Sequence, residues 1–365
     1  MTRLRGVSEA GPWDAIQRAL ATWYAEEHRE LPWRRGRDPY AIWVSETMLQ
    51  QTRVETVLPY FERFMRELPN VHALAECSLD RVLSLWSGLG YYRRARMLHA
   101  AARTVVDEFD GVVPNDTKEL RRLPGVGRYT AGAIASLAFG RRVPVVDGNV
   151  ARVVARVFAV DSDLGGARGI ARIWELAEEI VVPPGIDPGI VNQSLMELGA
   201  TVCVPREPKC GQCPLRAQCA AYRTGRVDEL PRMAPKRAPV NMRQTALVIS
   251  SKNQVILARR GLAGLFGGLW EPPTTQGDVA TLAKALGVST NQLRSVGFVD
   301  HVLSHRRMHV EVIVGPLARR RTFTNPGSNY DAIEAVRWMA VAELPQSALT
   351  RKVLNLATPG RTSLR

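Results

Sequence analysis

The sequence predicts a two-domain protein, an all-α N-terminal part followed by a smaller α+β part, and three observations predict it. Apolar residues recur at helical spacing through the first half of the chain. A basic, proline-rich stretch from Arg223 to Pro239 then carries neither a helical nor an alternating pattern and reads as a linker. Beyond it, short β-branched runs are separated by turn residues and one capped helix. At 365 residues the chain is long enough to bury two cores.

Helical spacing begins with Trp13, Ile16, Leu20 and Trp23, with Pro12 acceptable in the first turn. The stretch from Leu31 to Pro39 interrupts it with two prolines, and Asp38 is placed to cap the next helix, expected to open at Pro39 and run through Thr52. Helical patterns return over residues 53–65, 80–86 and 92–102. Leu123-Pro-Gly-Val-Gly127 then reads as a turn between two helices. Pro124 stops the first, Gly125 and Gly127 permit positive φ, and a helix dense in small residues restarts at Thr130. Backbone N–H groups at the start of that second helix suit a phosphate oxygen. Asp147 is expected just beyond it. A carboxylate beside a phosphate anchor repels a polyanion, so it suggests chemistry on nucleic acid rather than binding alone. In the C-terminal part, residues 244–250, 254–259, 309–314 and 336–341 read as strands, and residues 279–286 as a helix between Asp278 and Gly287.

Charge points the same way: 49 Lys and Arg against 35 Asp and Glu give +14, which favours a polyanionic partner. The first residues contain no apolar leader, and no run approaches the roughly 18 apolar residues of a membrane span. A cytosolic protein without a membrane partner is expected. Of five cysteines, Cys77 stands alone and reads as a small core residue. Cys203, Cys210, Cys213 and Cys219 form a C-x6-C-x2-C-x5-C cluster, which suits a tetrahedral zinc ion or a cubane iron–sulfur cluster. The unequal spacing matches paired-cysteine zinc sites less well. Arg206, Lys209 and Arg216 make the loop basic.

Leu123-Pro-Gly-Val-Gly127, Val146-Asp-Gly-Asn149 and the cysteine cluster together resemble the endonuclease III superfamily of DNA glycosylases. Within it, Leu31-Pro-Trp-Arg34, the run Trp43 to Thr52, Gly88-Leu-Gly-Tyr-Tyr92 and the C-terminal α+β part are similar to the MutY family of adenine glycosylases. The resemblance implies a helix–hairpin–helix glycosylase domain over residues 1–222, with a [4Fe–4S] cluster on the four clustered cysteines. It implies a linker over 223–242 and a Nudix-like α+β domain over 243–365. It further implies a monomeric, nucleoid-associated enzyme acting on double-stranded DNA with adenine opposite 8-oxoguanine or guanine, and starting base excision repair by hydrolysing the N-glycosidic bond.

The resemblance also assigns roles. Bifunctional members carry a lysine two residues after the second hairpin glycine; here that position is Tyr129, so a monofunctional enzyme that leaves an abasic site is implied. Glu46 is the candidate acid for adenine, because burial raises a carboxyl pKa. Asp147 is expected to stay ionised and stabilise the sugar cation, with Asn149 orienting the site and Tyr129 bonding the carboxylates. Gln51 and Tyr91 match residues that wedge into the stack when the base is flipped, with Gln50, Thr52 and Leu89 close by. Trp33 and Arg34 match the adenine pocket, and Gln193 offers a donor and an acceptor to the base edge. Gly125 and Gly127 face the phosphate backbone. The stretch Gly261 to Pro273 resembles the start of a Nudix fold, but the helix over 279–286 has no carboxylate to hold magnesium, so nucleotide hydrolysis is not expected. Ser304 and His305 match an 8-oxoguanine-sensing loop in which Leu303 replaces the family phenylalanine.

Overall fold

The computed structural model describes residues 12–234, 238–251, 254–303, 305–316, 333–340 and 345–358. The chain folds as two compact units, Met1–His72 with Ala100–Pro235, and Ala73–His99 with Lys236–Arg365.

The first unit opens with α1 (Pro12–Glu27), α2 (Pro39–Leu49) and α3 (Val54–Glu67). Helix α4 (Val71–Glu76) passes into the second unit, α5 (Leu79–Leu85) lies within it, and α6 (Arg93–Glu108) returns. Then follow α7 (Thr117–Leu120), α8 (Arg128–Ala133) with a π turn over Ile134–Ala138, α9 (Gly148–Val157), α10 (Ala167–Val181), α11 (Pro188–Thr201) and α12 (Ala220–Arg223). In α9, Val150, Val153, Val154 and Val157 repeat at i, i+3, i+4 and i+7, and all four are buried against Leu20, Ile173, Leu195 and their neighbours. Helix α2 is buried nearly all round, from Tyr40 to Met48. That surrounding makes any carboxylate on it unusual.

Local chemistry sets the helix ends. Asp38 caps α2 by accepting from Tyr40 N at 3.0 Å, and Pro39 takes the first helical position, as expected. The helix stops at Leu49 instead of continuing to Thr52, because Gln50 leaves the helical region and Gln51 adopts φ +57°. At the hairpin, Gly125 has φ +77°, whereas Gly127 is extended at φ −88° and α8 starts at Arg128, so only the first glycine needs its freedom. Asp147 is the N-cap of α9, where it accepts from Val150 N at 2.7 Å.

The linker expected over 223–242 is structured at both ends. Leu230 is buried beside Ala221 and Val227, and its carbonyl accepts from Arg156 Nε at 2.9 Å. Leu164 N donates to Arg232 O at 3.0 Å. Val227 and Leu230 are the anchors that the surrounding prolines and arginines obscure in the sequence. At the far end, strand pairing already begins at Val240.

The C-terminal part carries β1 (Val240–Ser251), β2 (Gln254–Arg260), the short β3 (Trp270–Glu271) and β4 (Thr274–Thr275), helix α13 (Val279–Ala285), β5 (Arg294–Leu303), β6 (Arg306–Gly315), β7 (Ile333–Ala340) and α14 (Ala348–Ala357). The strand order is β3-β2-β1-β6-β5, with β4 on β1 and β7 on β2. Among the described residues only β1 with β6 is parallel, in register from Val240 opposite Arg306 to Ile249 opposite Gly315. Leu349, Val353 and Leu354 of α14 cover one face, and Leu282 and Ala283 of α13 the other. Asp278 caps α13, accepting from Ala280 N and Thr281 N at 3.0 Å each. Strand β5 and helix α14 were not expected from the sequence. The strand is an edge with weak alternation and a bulge at Gly297, so it lacks a clear apolar run.

Segment 73–99 belongs to this second unit. Asp80 Oδ1 accepts from Arg259 Nη2 at 2.9 Å, and Arg96 donates to the carbonyls of Leu262 and Gly267. Among the described residues, no helix is long and apolar enough to cross a membrane.

Candidate active site

A cleft of about 1070 Å³ in the first unit gathers the residues that the sequence singled out. Glu46, Tyr129, Asp147 and Asn149 line it, together with Trp33, Arg34 and Gln193. So do Gln50, Gln51, Thr52, Gly125 and Gly127. Helices α2 and α8, the start of α9 and α11 all contribute lining residues.

Glu46 is 5% exposed, and its Oε2 accepts a hydrogen bond from the Tyr129 hydroxyl. Burial pushes its pKa up to about 7; the Tyr129 bond and the more distant Arg34 oppose that rise, and the negative charge of Asp147 adds to it. Burial also raises Tyr129 well above its ordinary value, so this hydroxyl remains a donor. Asp147 is lifted by burial too. Its charged form is nonetheless held by N–H donors from Val150, the Asn149 backbone and the Asn149 side chain, and by the charge of Arg152. The Asn149 amide donates to Asp147 Oδ2 at 3.0 Å. Two carboxyls thus line one cleft, Glu46 lifted to about 7 and Asp147 raised by burial against the pull of its N–H donors and of Arg152.

The base of this site is braced from behind. Arg152 donates to Asn149 Oδ1 at 2.7 Å, to Gly199 O at 2.8 Å and to Cys203 O at 2.7 Å. One turn on, Arg156, 2% exposed, donates to Val204 O at 2.8 Å and reaches Cys203 Sγ at 3.4 Å. Asn149, Arg152 and Arg156 sit three and seven positions apart on α9, one face of a helix. Glycine at 199 permits the contact: a Cβ there would stand 2.6 Å from Asn149 Cβ and 2.8 Å from Asn149 O. The two arginines and Gly199 escaped the sequence reading, although the spacing from Asn149 was visible.

Glu197 is the main residue that reading missed. It is fully buried on α11, one turn from Gln193, and lines the same cleft. Its carboxylate accepts from Arg29 N, Nε and Nη2 at 3.1, 2.7 and 2.9 Å, and from Arg34 Nη2 at 2.7 Å. Burial alone would raise its pKa, but the bonds and charges of the two arginines outweigh that and leave it at about 2. Gln193 is itself tied, accepting from the Tyr24 hydroxyl at 3.0 Å. Trp33 packs edge-on against Phe61, with ring centroids 5.1 Å apart.

Other expected residues lie elsewhere. Leu89 and Tyr91 belong to the second unit, where Leu89 is buried and Tyr91 is 44% exposed with φ +50°. His305 is exposed at the turn between β5 and β6, and Ser304 lies outside the described residues. Cys77 is half-buried, not a core residue. Cys203, Cys210, Cys213 and Cys219 all line one small cavity with Arg156, Val153 and Leu198. Among the described residues, no group of three or more His, Cys, Asp or Glu side chains stands at spacing that would hold a metal ion.

Comparison with known proteins agrees with this architecture. The profile of the HhH-GPD superfamily base excision DNA repair protein matches residues 44–183, and that of the NUDIX domain matches residues 244–357. A solved thermostable thymine-DNA glycosylase superimposes with a TM-score of 0.51 at 31% identity, covering 58% of this chain and 97% of that one. Fold and site thus define a helix–hairpin–helix base-excision glycosylase followed along the chain by a NUDIX domain. The adenine DNA glycosylase of Rattus norvegicus is 36% identical over 92% of this chain and 76% of its own length. That of Homo sapiens is 36% identical over 92% of this chain and 72% of its own. The chain belongs to the adenine DNA glycosylase family.

Proposed function

We propose that the chain removes adenine from duplex DNA where it faces 8-oxoguanine or guanine, hydrolysing the N-glycosidic bond and leaving an abasic site for base excision repair. The observation that carries the reading is the pairing of carboxyls in one cleft: Glu46, lifted to about 7 and bonded by Tyr129, with Asp147 lining the same cleft.

Adenine leaves poorly as an anion. Protonated Glu46 donates to a ring nitrogen, the C1′–N9 electron pair goes to the base, and the sugar develops positive charge. Ionised Asp147 stabilises that charge, held by Asn149 and the Val150 N–H. Glu46, now a base, takes a proton from the water that adds to C1′, which restores the acid. No lysine lines the cleft among the described residues, which supports hydrolysis without a Schiff base. The likeness to a thymine-DNA glycosylase shows that the fold alone does not select the base; the adenine glycosylase relatives support adenine.

Base excision falls to residues 1–222 and reading of the opposite base to residues 243–365, where Ser304 and His305 follow Leu303. On this reading the protein acts at the nucleoid, as a monomer. Cys203, Cys210, Cys213 and Cys219, though not gathered at the spacing of a single ion, line one cavity beside the buried Arg156 guanidinium, which supports their being the residues that would hold a [4Fe–4S] cluster. When bound, that cluster cross-links the loop.

A single-turnover assay tests the reading on duplexes with A opposite 8-oxoguanine, A opposite G, T opposite G, and C opposite 8-oxoguanine, with and without hot alkali. Only the adenine strands should break, and only after alkali. Release of thymine, or breakage without alkali, overturns it.

A further inference from the structure

The turn Ser87-Gly-Leu-Gly-Tyr-Tyr92 is an improbable backbone. Gly88 and Gly90 have φ +108° and +76°, and Tyr91, with a full side chain, is held at φ +50°. Left-handed backbone at a non-glycine residue costs on the order of 1 kcal/mol, so something must hold it. Part of the brace is local: the Gly90 carbonyl accepts from Trp86 Nε1 and from Arg94 Nη2, each at 3.2 Å. Another part comes from far along the chain. The main-chain carbonyl of Gln346 accepts from Ser87 Oγ at 2.9 Å and from the Tyr92 hydroxyl at 2.8 Å. The same Tyr92 oxygen accepts from Gly88 N at 3.1 Å. Both ends of the turn therefore converge on one carbonyl, 254 and 259 residues away in sequence.

Gln346 is itself fixed. It is 3% exposed, lies just before Ser347, which caps α14, and follows Pro345, whose carbonyl accepts from Trp270 N of β3. Sheet and helix hold the acceptor; the acceptor holds the turn; the turn presents Tyr91.

We propose that the C-terminal part of the chain acts in base extrusion as well as in reading the opposite base: the Gln346 carbonyl, through Ser87 and Tyr92, positions Tyr91 to enter the duplex. Tyr92 is thereby a positioning residue. The inference rests on the reading above that Tyr91 enters the stack when adenine is flipped.

The test is Tyr92→Phe, which keeps the ring and removes the oxygen that serves both Gly88 N and Gln346 O, with Ser87→Ala as a second variant. Full-length proteins are compared by single-turnover excision of A opposite 8-oxoguanine, and by the fluorescence rise of 2-aminopurine placed at the adenine position. Each variant should slow extrusion and excision together, about tenfold for Tyr92→Phe, with the pH profile of excision unmoved. In a Tyr91→Ala background, Tyr92→Phe should add little. An unchanged extrusion rate in Tyr92→Phe, or an equal loss with and without Tyr91, overturns the proposal. Failure of the wild type to excise adenine at all strikes the functional reading instead, so the two failures are distinct.

Discussion

Arg152 donates through Nη2 to Asn149 Oδ1 at 2.7 Å while its Nε donates to the carbonyl of Cys203, also at 2.7 Å. One guanidinium thus spans the residue that orients Asp147 and the first residue of the cysteine loop. A planar fork makes both bonds in fixed geometry, which a lysine ammonium cannot copy. Arg152→Lys and Arg152→Gln should each slow excision about 100-fold by letting Asn149 turn from Asp147. Affinity for abasic-site product DNA should change little, and limited proteolysis within residues 203–219 should accelerate. Wild-type excision in Arg152→Gln would show that Asn149 needs no such support.

Gly199 makes a sharper test of the same neighbourhood, since it alters no polar group. A methyl group at this position overlaps Asn149, both Cβ and backbone, and backbone cannot swing aside as a long side chain can. Gly199→Ala should displace the start of α9, slow excision by at least about tenfold and cost roughly 1–3 kcal/mol of stability, the usual penalty of overpacking, read as a lower melting midpoint. Retained rate and stability together would mean that α9 and α11 part without consequence.

The sequence made the helical part legible where function and local chemistry coincide. Asp38 by its side-chain cap and Pro39 by its fixed φ mark the start of α2, and Glu46, Tyr129 and Asp147 fall in motifs dense enough to be recognised, whereas the helix expected to run up to Pro124 ends earlier, at Leu120. It hid whatever depends on partners distant in sequence. Glu197 is an ordinary helical glutamate until Arg29 and Arg34 are seen to close on it, and Leu230 is one apolar residue among prolines until Ala221 covers it. Segment 73–99 has helical periodicity that fits the N-terminal part, yet Asp80, Ser87, Tyr92 and Arg96 all bond to residues beyond 258. Periodicity shows that a helix buries a face; it does not show against what.

Asp147 caps α9 and, on the function proposed above, also faces the sugar; the two duties can be separated. Asparagine caps a helix about as well as aspartate, so Asp147→Asn should keep the bond to Val150 N, the fold and the affinity for mispaired DNA. Excision should fall by about a thousandfold or more, because the charge opposite the developing cation is gone. Near-normal excision by this variant would remove Asp147 from the chemistry and leave it a cap.

Glu46 ties rate and stability to one proton. Excision requires its acid form, so with a pKa of about 7 the rate should hold below neutrality and drop about tenfold per pH unit above it. Stability runs the same way. The folded-state pKa lies above the ordinary 4.5, so the folded protein binds more protons than the unfolded chain between these values, and stability declines as pH rises from about 4.5 to about 7. The ionised carboxylate therefore costs on the order of 3 kcal/mol at pH 8. Glu46→Gln, neutral at every pH and still able to accept from Tyr129, should abolish excision yet melt several degrees higher than wild type at pH 8. The difference should shrink toward zero near pH 5. Equal melting at both pH values, or a less stable variant at pH 8, would mean that Glu46 is solvated in the folded protein and not the poised acid its burial makes it.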